Sequence, residues 1–394
     1  MTFNQYPLYD LAEWKNGLAF RKIDFSDTGR PVIKIAELKN GISASTAFTK
    51  GEYDDAVKLQ EGDMLFSWSG NPETSIDVFW YSLPEGWLNQ HIFKVTPKSI
   101  VNREYLYYLL KYLKPTFTAI AANKQTTGLG HVTVKDLKEL LIDLPPFSIQ
   151  QAIGNYLSAL DDKIALNQKI NNNLAEQARS IFQSWLIDYE PFGGSVPSDW
   201  QPSTLGQIAT INTDRWFPAK NPDVVVEHYS IPAFDEQHYP VFEIASGIKS
   251  NKYILTSDSV MISKLNPDTK RIWRPICLSE HPVCSTEFMV YEAKKNGQRD
   301  YIYSIIDSVP FLNHLCSHTT GSTNSRQRAT PKATLEFPVL LPPDPVIEEF
   351  CSIVTPMYNL IASNIIENQS LAKTRDSLLP RLISGEINVS NIQR

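Results

Sequence analysis

Two polar loops, each punctuated by glycine, carry the side chains in this sequence that are best suited to chemistry. The first runs from Lys124 to His131 and the second from His318 to Arg328. Arg, Lys, Asn and Gln side chains pair with base edges, while Ser, Thr and backbone amides bind phosphates. Either loop alone could be an ordinary solvated loop. Because Thr-Thr-Gly occurs at 126–128 and again at 319–321, at matching places in a repeat, we favour a nucleic-acid-binding role.

Two further polar segments follow apolar runs at equivalent positions of the repeat. Trp68-Ser-Gly-Asn71 follows the first run, and Lys264-Leu-Asn-Pro267 follows the second. Basic residues lie just beyond the second segment. The residues predicted to bind nucleic acid are Trp68, Asn71, Lys124, Gln125, Thr126, Thr127 and His131 in the first half, and Lys264, Asn266, Lys270, Arg271, Arg274, Thr319, Thr320, Ser322, Asn324, Arg326 and Arg328 in the second.

No catalytic residue is predicted, because the motifs of several enzyme classes are missing from the sequence. There is no G-x-x-x-x-G-K-[ST] phosphate loop, no G-x-S-x-G elbow and no H-E-x-x-H motif. Leu144-Pro-Pro-Phe147 resembles the loop that holds the target amine in adenine methyltransferases. Leu144 stands where that loop needs a polar residue, and no glycine-rich cofactor motif precedes it.

No metal site is predicted either. Cys277, His281 and Cys284 lie close together, but without the C-x-x-C spacing that is typical of zinc sites. A metal site at these residues is an alternative to the favoured interpretation, which is buried thiols beside ordinary histidines.

The elements that would position these residues belong to an internal sequence repeat, with a period of 196 or 197 residues. Leu-Pro-Pro at 144–146, for example, returns at 341–343. Each copy predicts an α+β domain followed by a long helix. The predicted strands are Val32–Ile35, Met64–Trp68, Asp77–Trp80, Ile92–Val95, Val260–Ser263 and Glu287–Val290, and the shorter helices are Asn102–Leu113 and Arg299–Asp307. The predicted boundaries are a domain at 1–145, a helix at 146–190, a domain at 191–341, and a helix with its tail at 342–394.

Both long helices carry apolar residues at alternating steps of four and three, which is typical of a coiled coil. A Ser148–Gln151 capping box is expected to begin the first helix, and Asp344-Pro345 the second. Asparagines at matching places predict antiparallel pairing of the two helices with a defined register. The alternative is that each helix packs on its own domain, with the asparagines facing water. The predicted seam comprises Leu157, Leu160, Ile164, Asn167, Asn171, Leu174, Val354, Ile361, Asn364, Asn368, Leu371 and Leu378.

Composition excludes several classes of protein. The 394 residues carry a net charge of −6, which argues against a uniformly basic coat. Residues 145–200 and 342–394 together carry 12 acidic and 7 basic side chains, so most of the negative excess lies in the helices and their flanks. No apolar run is long enough to span a membrane, and the N-terminus lacks the pattern of a signal peptide. A cytoplasmic location is therefore expected.

In these features the chain resembles the specificity (S) subunit of type I restriction–modification enzymes. The resemblance rests on the repeat, on strands that end Leu65-Phe-Ser67 and Met261-Ile-Ser263, and on the segment Asn89-Gln-His-Ile-Phe93. It also rests on the order Thr-Thr-Gly, Leu-Pro-Pro and long helix in each half. Each motif is weak alone, but their order and duplication are specific, and they cover essentially the whole chain.

The resemblance implies a subunit that recognises DNA without catalysing a reaction. Its two target-recognition domains would each read one part of a split double-stranded DNA sequence. Its helices would act as a spacer and dock modification subunits, expected to be two, which bring S-adenosylmethionine and the methyl-transfer chemistry. A restriction subunit is a further expected partner, whereas a membrane is not. A self-sufficient DNA adenine methyltransferase and a protein–protein scaffold that does not bind DNA are the alternatives.

Overall fold

A computed structural model describes residues 4–125, 128–320, 327–387 and 389. The chain divides into two compact units, of which the first comprises Met1–Ile164 and Gln369–Arg394, and the second comprises Ala165–Asn368. Each unit contains a segment of both long helices. Each is a mixed structure of helices and strands, as predicted. In the described part of the chain, no helix is long and apolar enough to cross a membrane.

The first unit begins with short strands and helices that precede the first long helix. Its strands are β1 Asn4–Pro7, β2 Ala12–Asn16, β3 Arg30–Ile33, β4 Phe48–Thr49, β5 Lys58–Leu59, β6 Met64–Ser67, β7 Ser69–Gly70, β8 Asp77–Trp80, β9 Gly86–Leu88, β10 Ile92–Pro97, β11 Gly130–His131 and β12 Leu141–Leu144. Its helices are α1 Ile35–Asn40, α2 Pro72–Ser75, α3 Arg103–Tyr112, α4 Lys114–Asn123 and α5 Val134–Glu139, followed by the long helix α6 Phe147–Leu186.

An antiparallel sheet with the strand order β2-β10-β6-β8 is the centre of the first unit. A second four-stranded sheet has the order β4-β3-β9-β5, while β1 pairs with β12 and β7 pairs with β11. The buried faces of the central sheet and of α3 and α4 meet in one apolar core. Phe66 and Phe117 are packed there, and Leu157 of the first long helix joins the same core.

The second unit continues the chain with a similar series of elements. Its strands are β13 Gln201–Thr204, β14 Ala209–Asn212, β15 Arg215–Trp216, β16 Val225–Tyr229, β17 Val241–Ile244, β18 Lys252–Ile254, β19 Ser259–Ser263, β20 Ile272–Trp273, β21 Pro282–Ser285, β22 Phe288–Ala293, β23 Thr319–Thr320, β24 Arg328–Ala329 and β25 Pro338–Leu341. Its helices are α7 Leu205–Ile208, α8 Ile231–Gln237, α9 Arg299–Asp307, α10 Val309–Ser317 and α11 Pro331–Leu335, followed by the long helix α12 Asp344–Ile383.

The central sheet of the second unit has the order β14-β22-β19-β20 and is antiparallel throughout. A five-stranded sheet has the order β15-β18-β21-β16-β17, and β13 pairs with β25. The core of this unit includes Phe311, fully buried in α10, and Phe350, fully buried in α12. Described separately, each unit thus has a four-stranded antiparallel sheet covered by a pair of short helices.

The long helices α6 and α12 each contain 40 residues. Every residue of the predicted seam is buried or half-buried. In the second unit, Asn167 donates its amide to Asn368 Oδ1 at 2.9 Å, and Asn364 donates to Asn171 Oδ1 at 2.8 Å. Asn167 is fully buried and Asn364 is 8% exposed, so these two asparagines do not face water, whereas Asn171 and Asn368 are half-buried.

The observed elements differ from the predicted ones mainly at their ends. The strand predicted at Val32–Ile35 ends at Ile33, and Ile35 begins α1. This early helix is favoured because the Glu37 carboxylate accepts a hydrogen bond from the backbone N–H of Lys34 at 3.0 Å. The first long helix begins at Phe147, so Ser148, the expected N-cap, lies inside its first turn. The predictions for Asp77–Trp80 and Arg299–Asp307 match the structure.

Candidate nucleic-acid interface

In the first unit, candidate residues gather where three strand segments meet. Trp68 directly follows β6, His91 directly precedes β10, and His131 lies in β11. The backbone N–H of Trp68 donates to the carbonyl of His91 at 3.3 Å, and that of Val132 donates to the carbonyl of Trp68 at 2.9 Å. These backbone bonds hold Trp68 between the two histidines. We call Trp68, His91 and His131 the first cluster.

The side chains of the first cluster form a surface of rings and hydrogen-bonding groups. The Trp68 ring lies 5.8 Å from the ring of His91 and 5.8 Å from that of His131, measured between centroids. Its indole N–H donates to Asn16 Oδ1 at 3.1 Å, and His131 Nδ1 lies 2.9 Å from Ser69 Oγ. Burial lowers the pKa of His91, and the nearby His131 lowers it further. His91 thus takes up a proton only at lower pH than a free histidine.

Gly130 allows His131 to reach this position. A Cβ atom at residue 130 would lie 2.3 Å from the backbone oxygen of Ala121, at the end of α4. A strand and a helix backbone therefore approach too closely for any side chain. Close packing of β11 against α4 thus explains why residue 130 is a glycine. In this position β11 pairs with β7.

The second unit has the same backbone arrangement at the equivalent strand ends. The N–H of Lys264, directly after β19, donates to the carbonyl of Glu287 at 2.9 Å. The N–H of Ala329 donates to the carbonyl of Lys264 at 2.8 Å, and Leu265 forms an antiparallel bridge with Arg328. Lys264 thus lies between Glu287 and Arg328, as Trp68 lies between His91 and His131. We call Lys264, Glu287 and Arg328 the second cluster.

Arg328 is the most accessible cation of the second cluster. Its Nε donates to Glu287 Oε2 at 3.0 Å, and its Nη2 donates to Glu287 Oε1 at 3.1 Å. The Arg328 side chain is nevertheless 51% exposed. Asn266 lies beside the cluster, because its N–H donates to the carbonyl of Gln327 at 2.9 Å. Thr320 of β23 donates its hydroxyl to the Arg328 carbonyl at 3.3 Å.

Other predicted residues have partners that point to a local structural role. Asn71 caps α2, because its Oδ1 accepts from the N–H groups of Glu73 and Thr74 at 3.0 and 3.2 Å. Lys124 is ion-paired with the buried carboxylate of Asp136. Asn71 and Lys124 are both exposed, but they do not belong to the first cluster.

Three basic residues near β20 are also engaged with carboxylates. Lys270 pairs with Asp307 at 2.6 Å, Arg271 with Asp235 at 2.6 Å, and Arg274 with Asp300 at 2.6 Å. The side chains of Asp300 and Asp307 are only 2% and 6% exposed. Because a buried carboxylate without its cation is strongly unfavourable, these geometries favour a structural role for Lys270 and Arg274.

Five predicted residues lie outside the part of the chain that the structure describes: Thr126, Thr127, Ser322, Asn324 and Arg326. Gln125 is described and borders the first gap, and Thr319 is described in β23, which ends at the second gap. Sequence reasoning did not single out Asn16, His91 or Glu287 as site residues. The segment Asn89–Phe93 contains His91, but the sequence does not show that His91 lies beside Trp68. That position follows from the pairing of β10 with β6. Within the described ranges, no group of three His, Cys, Asp or Glu residues could hold a metal ion.

The chain is similar to known proteins of one class. Residues 2–176 match the type I restriction modification DNA specificity domain family. The specificity subunit of the type I restriction enzyme MjaIX from Methanocaldococcus jannaschii is 27% identical over 327 residues, which cover 77% of this chain and 73% of the relative. The specificity subunit of HindI from Haemophilus influenzae is 24% identical over 367 residues, covering 73% of this chain and 78% of the relative.

A solved structure shares the fold. The S subunit of a type I restriction–modification system from M. genitalium aligns with a TM-score of 0.57 and 17% identity, covering 96% of each chain. The matched domain and the two relatives belong to one class of protein. Over most of its length, this chain is similar to type I restriction enzyme specificity subunits.

Proposed function

We propose that this chain is the non-catalytic subunit that reads the DNA target of a type I restriction–modification complex. Its target is bipartite, with one half-site for each domain and unread base pairs between them. The observation that carries this proposal is the recurrence of one backbone arrangement with different side chains. Trp68, His91 and His131 occupy in the first unit the positions that Lys264, Glu287 and Arg328 occupy in the second.

The difference between the two clusters supports two different half-sites. The first cluster offers aromatic rings and imidazoles, which suit stacking and single hydrogen bonds. The second offers a lysine and a half-exposed arginine, which suit phosphates and the acceptors on guanine. The same backbone arrangement with different side chains would allow the two domains to recognise two different DNA half-sites.

The two long helices would pair as an antiparallel coiled coil and complete an internal two-fold repeat. The pairing is supported by the order of the hydrogen bonds in the second unit, where Asn167 meets Asn368 and Asn171 meets Asn364. As the residue number rises along α6, the number of its partner on α12 falls, as an antiparallel register requires. In the first unit, Arg375 of α12 donates to Asp161 of α6. This ion pair gives Arg375, which lies between the predicted seam residues Leu371 and Leu378, a partner on α6.

The outer faces of the helices would dock two modification subunits, which bind S-adenosylmethionine and transfer the methyl group. A restriction subunit would join this assembly. The acidic excess of the helices supports a protein-docking role over a DNA-contacting one. Asp162 and Glu176 are exposed and available for docking. Asp161 is half-buried and accepts from Tyr108 at 2.6 Å as well as from Arg375, so it belongs to the packing of the first unit.

The proposal is tested by assembling the full chain with its modification subunits and measuring transfer of labelled methyl groups to DNA. The complex should methylate one bipartite sequence, and the isolated chain should methylate nothing. Charge reversal at Asp162 and Glu176 together should weaken co-purification with the modification subunits. Methylation by the homogeneous isolated chain would contradict the non-catalytic role, and undiminished co-purification would contradict docking through these acidic faces.

A further inference from the structure

The contact between Arg328 and Glu287 fixes the plane of the guanidinium group. Both hydrogen bonds, from Nε and from Nη2, use the same edge of Arg328 and both oxygens of the carboxylate. Such a bidentate pair is more specific in geometry than a single contact. The other edge of the guanidinium, which carries Nη1, points away from Glu287 and keeps its donors.

The backbone around this pair is held on both sides. Glu287 accepts the Lys264 N–H through its carbonyl, and its own N–H donates to Ser285 Oγ at 3.2 Å. The Arg328 carbonyl accepts a hydrogen bond from the Thr320 hydroxyl. The N–H of the next residue, Ala329, donates to the Lys264 carbonyl. The pair is therefore attached to neighbouring strands of the second unit. Its side chains remain accessible, with Glu287 29% and Arg328 51% exposed.

We propose that Glu287 is a positioning residue that presents the free edge of Arg328 to one guanine in the second half-site. The inference rests on the proposed function and names the base that this part of the site reads. Guanine alone among the bases presents two acceptors, O6 and N7, side by side in the major groove. A guanidinium edge with two parallel donors matches this pair of acceptors. Its orientation must be set before binding for the match to discriminate between bases.

The positioning role proposed for Glu287 applies to the second unit only. At the equivalent positions of the first unit stand His91 and His131, which form no carboxylate–guanidinium pair. The carboxylate itself would repel DNA phosphates, so it contributes nothing favourable through its own charge. A purely stabilising ion pair would change affinity for all sequences alike, whereas a positioning residue changes the preference at one base pair.

The test uses the full chain assembled with its modification subunits, and binding to a panel with every single-base change in both half-sites. Arg328→Ala should lower discrimination at one G·C pair of the second half-site by about 5- to 150-fold, the range for a bidentate base contact. Glu287→Ala should lower discrimination at the same pair and at no other. The double variant should resemble Arg328→Ala, because Glu287 acts through Arg328.

Controls separate folding from positioning. Glu139→Gln removes an exposed carboxylate that pairs with Lys135 in the first unit, and it should leave every preference unchanged. If Glu287→Ala does not fold, Glu287→Gln keeps the shape and one acceptor, and should give an intermediate loss at the same base pair. A Glu287 variant that folds, binds and keeps full guanine preference would overturn the inference. A wild-type complex without any sequence preference would instead overturn the proposed function itself.

Discussion

Asn364 donates its side-chain amide to Oδ1 of Asn171 across 2.8 Å, inside the helical part of the second unit. A second bond of this type joins Asn167 to Asn368 at 2.9 Å. Polar pairs in a largely apolar seam cost stability, but they are satisfied only when the helices are in one register. The two bonds therefore specify the alignment of α6 with α12 in this unit.

Replacing one asparagine of a hydrogen-bonded pair should lower the free energy of unfolding more than replacing both. Asn364→Leu leaves the amide of Asn171 without its partner, and we expect a loss of about 1–3 kcal/mol in the free energy of unfolding. The double change Asn171→Leu with Asn364→Leu should restore most of this loss, because both polar groups are gone. Urea unfolding of Asn171→Leu, Asn364→Leu, the double variant and the wild type measures the difference. Losses in the two single variants that simply add up in the double variant would show that the pair does not interact.

The carboxylate of Asp161 should stabilise the first unit. It accepts hydrogen bonds from Tyr108 and Arg375, so Asp161→Asn should lower the free energy of unfolding by about 1–3 kcal/mol. Asp162→Asn changes the neighbouring, exposed carboxylate and is the matched control, with an expected effect within about 0.5 kcal/mol. Thermal unfolding of both variants decides the matter, and similar melting temperatures would argue against a stabilising role for this contact.

Trp68 should be required for reading the first half-site only. Trp68→Ala removes the ring between His91 and His131, and we expect discrimination in the first half-site to fall by about 1–3 kcal/mol. The measurement is binding of the assembled complex to single-base variants of both half-sites. Trp80→Ala is the control, since Trp80 pairs with Met64 at the other end of β6. A loss of discrimination in the second half-site would contradict independent reading by the two domains.

Recognition of the first half-site should strengthen as pH falls. Burial and His131 hold the pKa of His91 below its usual value, so the free protein carries this imidazole neutral near pH 7. A DNA acceptor or phosphate favours the protonated ring, which raises this pKa in the complex. Binding then takes up a proton, and affinity rises as pH falls from about 7 toward the lowered pKa. His91→Gln should flatten this dependence, and an unchanged slope in that variant would show that another group titrates.

Hydrophobic periodicity was sufficient to predict much of the fold. The α9 helix and β8 have the predicted bounds, and the buried apolar residues of α9 follow helical spacing. Element ends were less certain, since Ile35 continues an apolar run but begins a helix through the Lys34–Glu37 cap. The seam predicted from the alternation of threes and fours stays a prediction, although every one of its residues is buried or half-buried.

The candidate site was only partly predictable. Trp68 and Arg328 stood out by type and by their place in the repeat, whereas Glu287 precedes an apolar strand and has no local signal. Its role depends on strand pairing that brings residues 264, 287 and 328 together over long sequence separations. Lys270 and Arg274 looked like free cations in the sequence because their partners, Asp307 and Asp300, lie in a distant helix.

The most direct test of the account is the DNA methylation pattern of the host with this chain intact, deleted, or replaced by Trp68→Ala or Arg328→Ala. We predict one bipartite methylated sequence that disappears on deletion. Trp68→Ala should relax the bases required in one half of that sequence, and Arg328→Ala should relax the other half. A methylation pattern that is unchanged when the chain is deleted, or a single uninterrupted motif altered by both substitutions at the same bases, would contradict the account.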